Sequence, residues 1–275
     1  VICAGLGPGD PDLMSLRAAR AIGGARHVAY FRKEGRAGQA RRIVEGMLSP
    51  QAIEYPMEYP VTTELPFDSP DYTGALAQFY DDWANRLARL ALTEDVVVLC
   101  EGDPFFYGSF MHLHSRLQGR VPVEVIPGIT GMTGCWHATD TPITWGDDVL
   151  TVLMGTLPED DLVRHMASAD ALVIMKTGRN LPRVRRALER SGRLAAAWLV
   201  ERGTMPGQRV VRLAEVDAAD CPYFAIVIVH RHGRSPDGAP TRIGLHLTPD
   251  SLVITVRDRG PGFDPEAVPD PCRQA

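Results

Sequence analysis

Five consecutive apolar residues, Val96-Val97-Val98-Leu99-Cys100, stop abruptly at Glu101-Gly102-Asp103-Pro104. A run of strand length with no polar interruption reads as a strand covered on both faces, the setting of a parallel sheet with helices crossing above and below it. The rest of the chain repeats this pattern. An apolar strand at 1–4 runs into Gly5-Leu6-Gly7-Pro8-Gly9-Asp10, and a helix over 12–22 is closed by Gly23-Gly24. A short strand at 27–31 follows. Ala40, Ile43, Val44 and Met47, and then Tyr72, Ala75, Leu76, Phe79, Trp83, Leu87 and Leu90, recur at helical spacing. A strand at 121–126 and a small-residue helix beyond Thr130 complete the first half.

The stretch 142–148 is polar and turn-like. Beyond it, strands at 149–154, 171–175 and 195–200 alternate with helices at 158–168 and 181–191, and two more strands lie at 209–213 and 224–230. The expectation is an α/β protein of two α/β domains, 1–145 and 146–232, each with a largely parallel sheet. From Gly233 a glycine- and proline-rich linker (233–240) leads to a hairpin of 243–247 and 252–256, so 233–275 reads as a separate tail.

Composition narrows the function classes. With 45% apolar and 23% charged residues among 275, the chain can build a core. A balance of 29 basic against 34 acidic residues gives −5, the wrong sign for a protein that coats nucleic acid. No apolar run approaches the ~20 residues of a membrane span, and nothing at the start reads as a signal peptide. Cys3, Cys100, Cys135, Cys221 and Cys272 are scattered and contain no C-x-x-C pair, which argues against a disulfide framework and a zinc site. The expectation is a reduced, cytoplasmic protein without nucleic-acid, membrane or metal partners.

Three strand-end loops carry the chemistry. Gly5, Gly7 and Gly9 allow close backbone approach, but G-x-G-x-G is not the G-x-G-x-x-G of a dinucleotide loop. Pro8 also removes an N–H, and the second strand ends in Phe31-Arg32-Lys33 without a ribose-binding acid. A tight turn capped by Asp10 or Asp12 explains the loop equally well. The second loop, Glu101 to Gly108, follows the most buried strand, where open α/β sheets place ligands. Its acids can grip hydroxyls or an ammonium and its aromatics can cover a flat ring, or Asp103 can simply cap the next helix. Pro127-Gly128-Ile129-Thr130-Gly131 closes the following strand in the same position.

Together with Met154-Gly155 and Glu201-Arg202-Gly203-Thr204, these loops resemble, in order and spacing over about residues 1–232, the tetrapyrrole (precorrin) methyltransferase family. Glu101 to Met111, Tyr223-Phe224-Ala225 and Gly7 to Pro11 most resemble the branch that methylates C20 of precorrin-2, and the long insert between Tyr55 and Phe79 suits that branch. The resemblance implies S-adenosylmethionine (SAM) held in a cleft between the two domains, a tetrapyrrole substrate, and a homodimer. Carried over by position, it implies that Pro8 faces the cleft and that Gly102, Asp103, Phe106, Thr130 and Gly131 line the SAM site. Met154 would pack on the cofactor, though plain core packing explains it too, and Gly203 would let the cofactor approach the second domain.

Some uroporphyrinogen-methylating relatives carry an acid, a proposed base, directly after the aromatic that ends the second strand. Here Phe31 follows Tyr30, which leaves no evident base. Arg32, Lys33, Arg36, Arg41 and Arg42 form a basic cluster, and Arg32, Lys33 and Arg36 are the candidates to meet a polycarboxylate substrate, unless the cluster is a solvated face. His112, His114 and His137 lack metal spacing. In the tail, 252–265 resembles the D-x-G-x-G adenine box of histidine-kinase-type ATPases, but the magnesium-binding helix and the glycine lid of that fold are missing. An ATP-binding regulatory module and a nicotinamide oxidoreductase are the rival classes.

Overall fold

A computed structural model describes residues 1–60, 69–146, 148–216, 221, 222, 224–230, 242–248 and 251–257. The first sheet is built from β1 (Ile2–Gly5), β2 (His27–Lys33), β3 (Ile53–Tyr59), β4 (Val96–Cys100) and β5 (Glu124–Ile126). All its pairings are parallel, in the order β3-β2-β4-β1-β5. The five residues of β4 are buried and feed two cores in alternation. Val96, Val98 and Cys100 meet α3 (Pro70–Leu90) and α4 (Phe110–Leu117) on one face. Val97 and Leu99 meet α1 (Leu16–Gly23) and α2 (Gln39–Ile43) on the other.

Local chemistry moves several expected boundaries. Asp10 caps a separate 3₁₀ turn, Pro11–Leu13, by accepting from the Asp12 amide at 2.9 Å. The helix proper starts only after Ser15, whose Oγ accepts from the Ala18 amide at 3.2 Å. The helix expected through Met47 stops at Ile43, and Gly46 then turns left-handed at φ +77°. Strand β5 is shorter than expected, three residues, because Pro122 has no N–H for a ladder; its carbonyl accepts from the Val1 ammonium at 2.9 Å. Strand β3 is absent from the sequence reading. It carries Pro56, which a sheet edge tolerates and a central strand does not.

The second sheet contains β6 (Leu150–Met154), β7 (Ala171–Met175), β8 (Ala197–Glu201), β9 (Arg209–Arg212) and β10 (Ala225–Val229), in the order β6-β7-β10-β8-β9. Here the expectation of a largely parallel sheet fails. Only β6 and β7 pair in parallel; β10 runs antiparallel between β7 and β8, and β9 pairs antiparallel with β8. No α-helix lies between β8 and β9, and a short connection can return a strand only antiparallel. Helices α6 (Glu159–Met166) and α7 (Leu181–Arg190) cover one face. Helix α5 (Gly131–His137) covers the other through Cys135, against Ala171, Val173, Val200 and Ile228. A buried contact between Thr139 Oγ1 and His230 Nε2 at 2.8 Å ties the end of α5 to β10.

The expected hairpin is present. Strands β11 (Arg242–Thr248) and β12 (Ser251–Arg257) pair antiparallel with one another and join neither larger sheet. The linker 233–240 and the adenine-box residues from 258 onward lie outside the described residues. A two-stranded sheet alone is marginal in water. A chain ended after His232 should therefore melt within about 3 °C of the full length, the shift that roughly 1 kcal/mol produces at this size. A larger loss in calorimetry would mean that the tail is part of the packed structure.

Candidate active site

The loops after β4, β1 and β5 leave the carboxyl ends of three adjacent strands and nest on one another through bare backbone. Leu6 N donates to Cys100 O at 2.9 Å, and Gly102 N donates to Gly7 O at 2.8 Å, so two parallel strands continue as a short antiparallel bridge. Gly102 makes that reversal at φ +66°. A Cβ on Gly5 would lie 2.6 Å from Gly128 N, and one on Gly128 would collide with Gly102 O. Asp103 holds the arrangement together. Its Oδ1 accepts from Phe105 N at 2.9 Å and its Oδ2 from Gly128 N at 3.0 Å, joining the loops that flank β1.

The second half closes on these loops. Met205, in the loop between β8 and β9, sits where a Cβ on Gly9 would be, and Gln39 Nε2 donates to its Sδ at 3.5 Å. Asp10 N donates to Thr204 Oγ1 at 3.3 Å. Pro8 is buried against Gly134 of α5, where a Cβ would come within 2.7 Å of the proline ring. Gly203 is equally tight: its own Cβ would lie 2.7 Å from Cys135 Sγ. Burial pushes the Cys135 thiol up to about 12, against an opposing hydrogen bond from the Gly203 amide, so this sulfur is packing material rather than a nucleophile. Past the end of β7, Lys176 Nζ lies 5.9 Å from the centre of the Tyr107 ring. Tyr107, Lys176, Arg202 and Thr204 all have left-handed backbones, with φ from 50° to 65°. Such strain persists only where the surroundings enforce it, and it gathers at functional sites.

Of the residues singled out in the sequence, Pro8, Gly102, Asp103, Phe106, Thr130 and Gly131 come to one end of the first sheet. Phe106 is half-buried and edge-on to Tyr107 at 4.9 Å. Thr130 begins α5 and its hydroxyl meets that of Thr133 at 3.0 Å, while open space surrounds the position of a Cβ on Gly131. Met154 ends β6 opposite Met175 and is half-buried. The close approach that Gly203 permits here is to Cys135 of α5. In the basic cluster, Arg32 Nε donates to Glu58 at 2.9 Å and Arg41 Nε donates to Glu54 at 2.7 Å. Arg36 sits in an exposed turn after β2. His112 stacks on Tyr80 at 4.6 Å and His114 lies edge-on to Phe105 at 4.8 Å, both as parts of α4.

Three residues were not among the site candidates carried over by position: Glu101, read only as one of the acids of its loop, Lys176 and Met205. Each follows a strand end, which is the only local signal they carry. Glu101 Oε1 accepts from the Ala40 amide of α2 at 3.0 Å. Surrounding protein pushes this carboxyl up to about 7, with the Ala40 hydrogen bond opposing the shift. The residue as a whole is exposed, and water beside it weakens that upward shift. A surface depression lined by Asn85, Ala88, Arg89, Leu92, Arg120 and Val121 lies along α3, apart from all of these loops.

Residues 1–217 match the family of Tetrapyrrole (Corrin/Porphyrin) Methylases. The chain belongs to that family. A precorrin-2 C(20)-methyltransferase from a Sinorhizobium species is 52% identical over 230 residues, which is 83% of this chain and 94% of that protein. The cobalamin biosynthesis protein CobIJ of Mycobacterium bovis is 46% identical over 226 residues, 82% of this chain but 44% of that longer protein. Among solved structures, a uroporphyrin-III C-methyl transferase from Thermus thermophilus, in complex with S-adenyl homocysteine, superposes with a TM-score of 0.59 at 24% identity. That alignment covers 83% of this chain and 91% of the other.

In this tetrapyrrole methylase the Asp103 carboxylate acts on backbone amides of two loops. Asp103→Ala would release both amides and loosen the nested loops, whereas Asp103→Asn keeps one acceptor. The alanine variant should bind S-adenosylhomocysteine ~1.5–3 kcal/mol more weakly by calorimetry, the range for a lost charge-assisted hydrogen bond. The asparagine variant should fall between it and the parent. Unchanged affinity in a folded Asp103→Ala protein would show that the loop junction does not shape the donor site.

Proposed function

We propose that this chain transfers the methyl group of SAM to C20 of precorrin-2, giving precorrin-3A. One observation carries the reading: identity of 52% with a precorrin-2 C(20)-methyltransferase runs through 94% of that protein. The nested loops supply the physical support. Open space beside Gly131 and the half-buried Phe106 and Met154 fit a folded nucleoside with an apolar, polarisable sulfonium. When bound, SAM supplies an electrophilic methyl on a good leaving group. The residues of this chain align it, exclude water and hold the substrate carbon in line with the sulfur–methyl bond. We take 1–145 and 146–232 as the two units between which donor and tetrapyrrole meet, and a homodimer as the working assembly. We propose no nucleic-acid or membrane partner; among the described residues no helix is long and apolar enough to cross a membrane.

Incubating the full chain with precorrin-2 and SAM carrying a labelled methyl should yield one S-adenosylhomocysteine per methyl added, with the label at C20 by NMR. Label on another ring carbon would replace C20 with that position. Turnover only of the cobalt-bearing tetrapyrrole would move the substrate to the metallated form. Light scattering tests the dimer.

The ion pairs inside the basic cluster assign its electrostatic work unevenly. Arg32 is neutralised by Glu58, whereas Arg36 is exposed beside the strand ends. Arg36→Ala should raise the substrate KM about threefold at low salt, the scale of an exposed charge pair, with kcat unchanged and the difference fading at high salt. Identical KM values at low salt would make the cluster a solvated face.

A further inference from the structure

Glu101 stands outside the backbone nesting of the three loops, and its placement is unusual for a carboxylate. The last β2–β4 pair in register is Tyr30 with Leu99, so Glu101 emerges two residues beyond it, beside the end of β2. That is the end where Phe31, rather than an acid, follows Tyr30. Helix α2 is pressed against the same place: a Cβ on its first flanking residue, Gly38, would meet Phe31 O at 2.5 Å. Gly38 offers no side-chain cap, and Glu101 Oε1, from the loop after β4, accepts the Ala40 amide instead.

Among the described residues, no charged neighbour helps to hold this carboxyl ionised. Arg32 and Lys33 on β2 and Arg41 and Arg42 on α2 belong to the elements packed beside it, with Arg36 in the turn between them. Arg32 and Arg41 pair with Glu58 and Glu54, and among the described residues no cation pairs with Glu101. On its own loop, Asp103 gives both oxygens to backbone amides. Glu101 Oε2 has no partner among the described residues, and the residue is exposed at the strand end, beside the helix whose Gln39 meets Met205 of the second half.

We propose that Glu101 is the general base of the reaction, taking the proton from the ring carbon once that carbon has received the methyl group. This rests on the C20 reading above. The ring carbon's π electrons form the new bond to the methyl carbon while the sulfur–methyl pair returns to sulfur, turning the sulfonium into a thioether. The carbon then bears both hydrogen and methyl, and the macrocycle carries one positive charge. Breaking the carbon–hydrogen bond returns its electron pair to the macrocycle and delivers the proton to Oε2, from which water removes it. The Ala40 amide holds Oε1 so that Oε2 presents itself in one orientation. A base whose proton affinity matches the surrounding pH is suited to this transfer.

The test uses the full chain, with precorrin-2 and saturating SAM. A base must be deprotonated to act, so kcat/KM of the parent for the tetrapyrrole should rise with pH through about 7 and level off above it. Glu101→Gln should lower kcat by at least about 100-fold, the usual worth of a general base, and should lose that pH dependence. Its affinity for S-adenosylhomocysteine should stay within about twofold of the parent, and Glu101→Asp should recover part of the rate. A Glu101→Gln protein that keeps kcat within about threefold and the same pH profile would overturn the proposal and leave Glu101 as the cap of α2. Should that variant fail to fold, a parent profile flat between about pH 6 and 8 would overturn it equally. A parent that methylates a different ring carbon allows the same comparison on that product. A parent inactive on every tetrapyrrole would sink the C20 reading, and this assignment with it.

Discussion

The site depends on three loops packing backbone against backbone. Gly5, Gly102 and Gly128 stand so close that a single methyl group on Gly5 or Gly128 would drive the loops apart. Adjacent parallel strands β4, β1 and β5 deliver them side by side, and the Asp103 carboxylate holds the outer two through amides that the nesting would otherwise leave without acceptors. A surface made of peptide groups rather than side chains is rigid and rich in hydrogen-bonding positions. It also brings a ligand close to the strand ends, where the backbone can read it.

The second sheet serves the first by a different means. Its antiparallel β8–β9 pair sends out a short loop whose Thr204 and Met205 reach Asp10 and Gly9. Helix α5 runs straight on from the third loop of the first sheet and buries its apolar face on the second. Pro8, Gly134, Cys135 and Gly203 form the seam, again with glycines where two backbones approach. The left-handed residues Tyr107, Lys176, Arg202 and Thr204 lie on loops of both sheets around this seam, so the strain is shared between the halves.

Much of this was legible from local composition. Strands β4 and β7 lie where unbroken apolar runs placed them, because burial on both faces leaves no position for a polar residue. The glycine loops were legible for the same kind of reason: a missing side chain is a local fact with a local steric consequence. Strand β3 was hidden by Pro56, whose tolerance depends on an edge position that only the assembled sheet creates. The start of α1 was misplaced because Asp10 and Ser15 are both competent caps, and which one opens the longer helix depends on packing. The insertion of β10 between β7 and β8 had one sequence cue, the lack of a helical pattern around β9, but the cue does not say where the returning strand enters.

Sequence by itself determined most of the strands and helices, where the glycine loops fall, and the family that their order marks. Those are properties of neighbouring residues, set by periodicity, steric freedom and hydrogen-bond chemistry over a few positions. Tertiary structure decided that Asp103 grips Gly128, that Met205 covers Gly9, and that Glu101 answers the Ala40 amide. These partners are separated by tens to hundreds of residues. Their interactions depend on distance, burial and local charge, which exist only once the two sheets have formed and met.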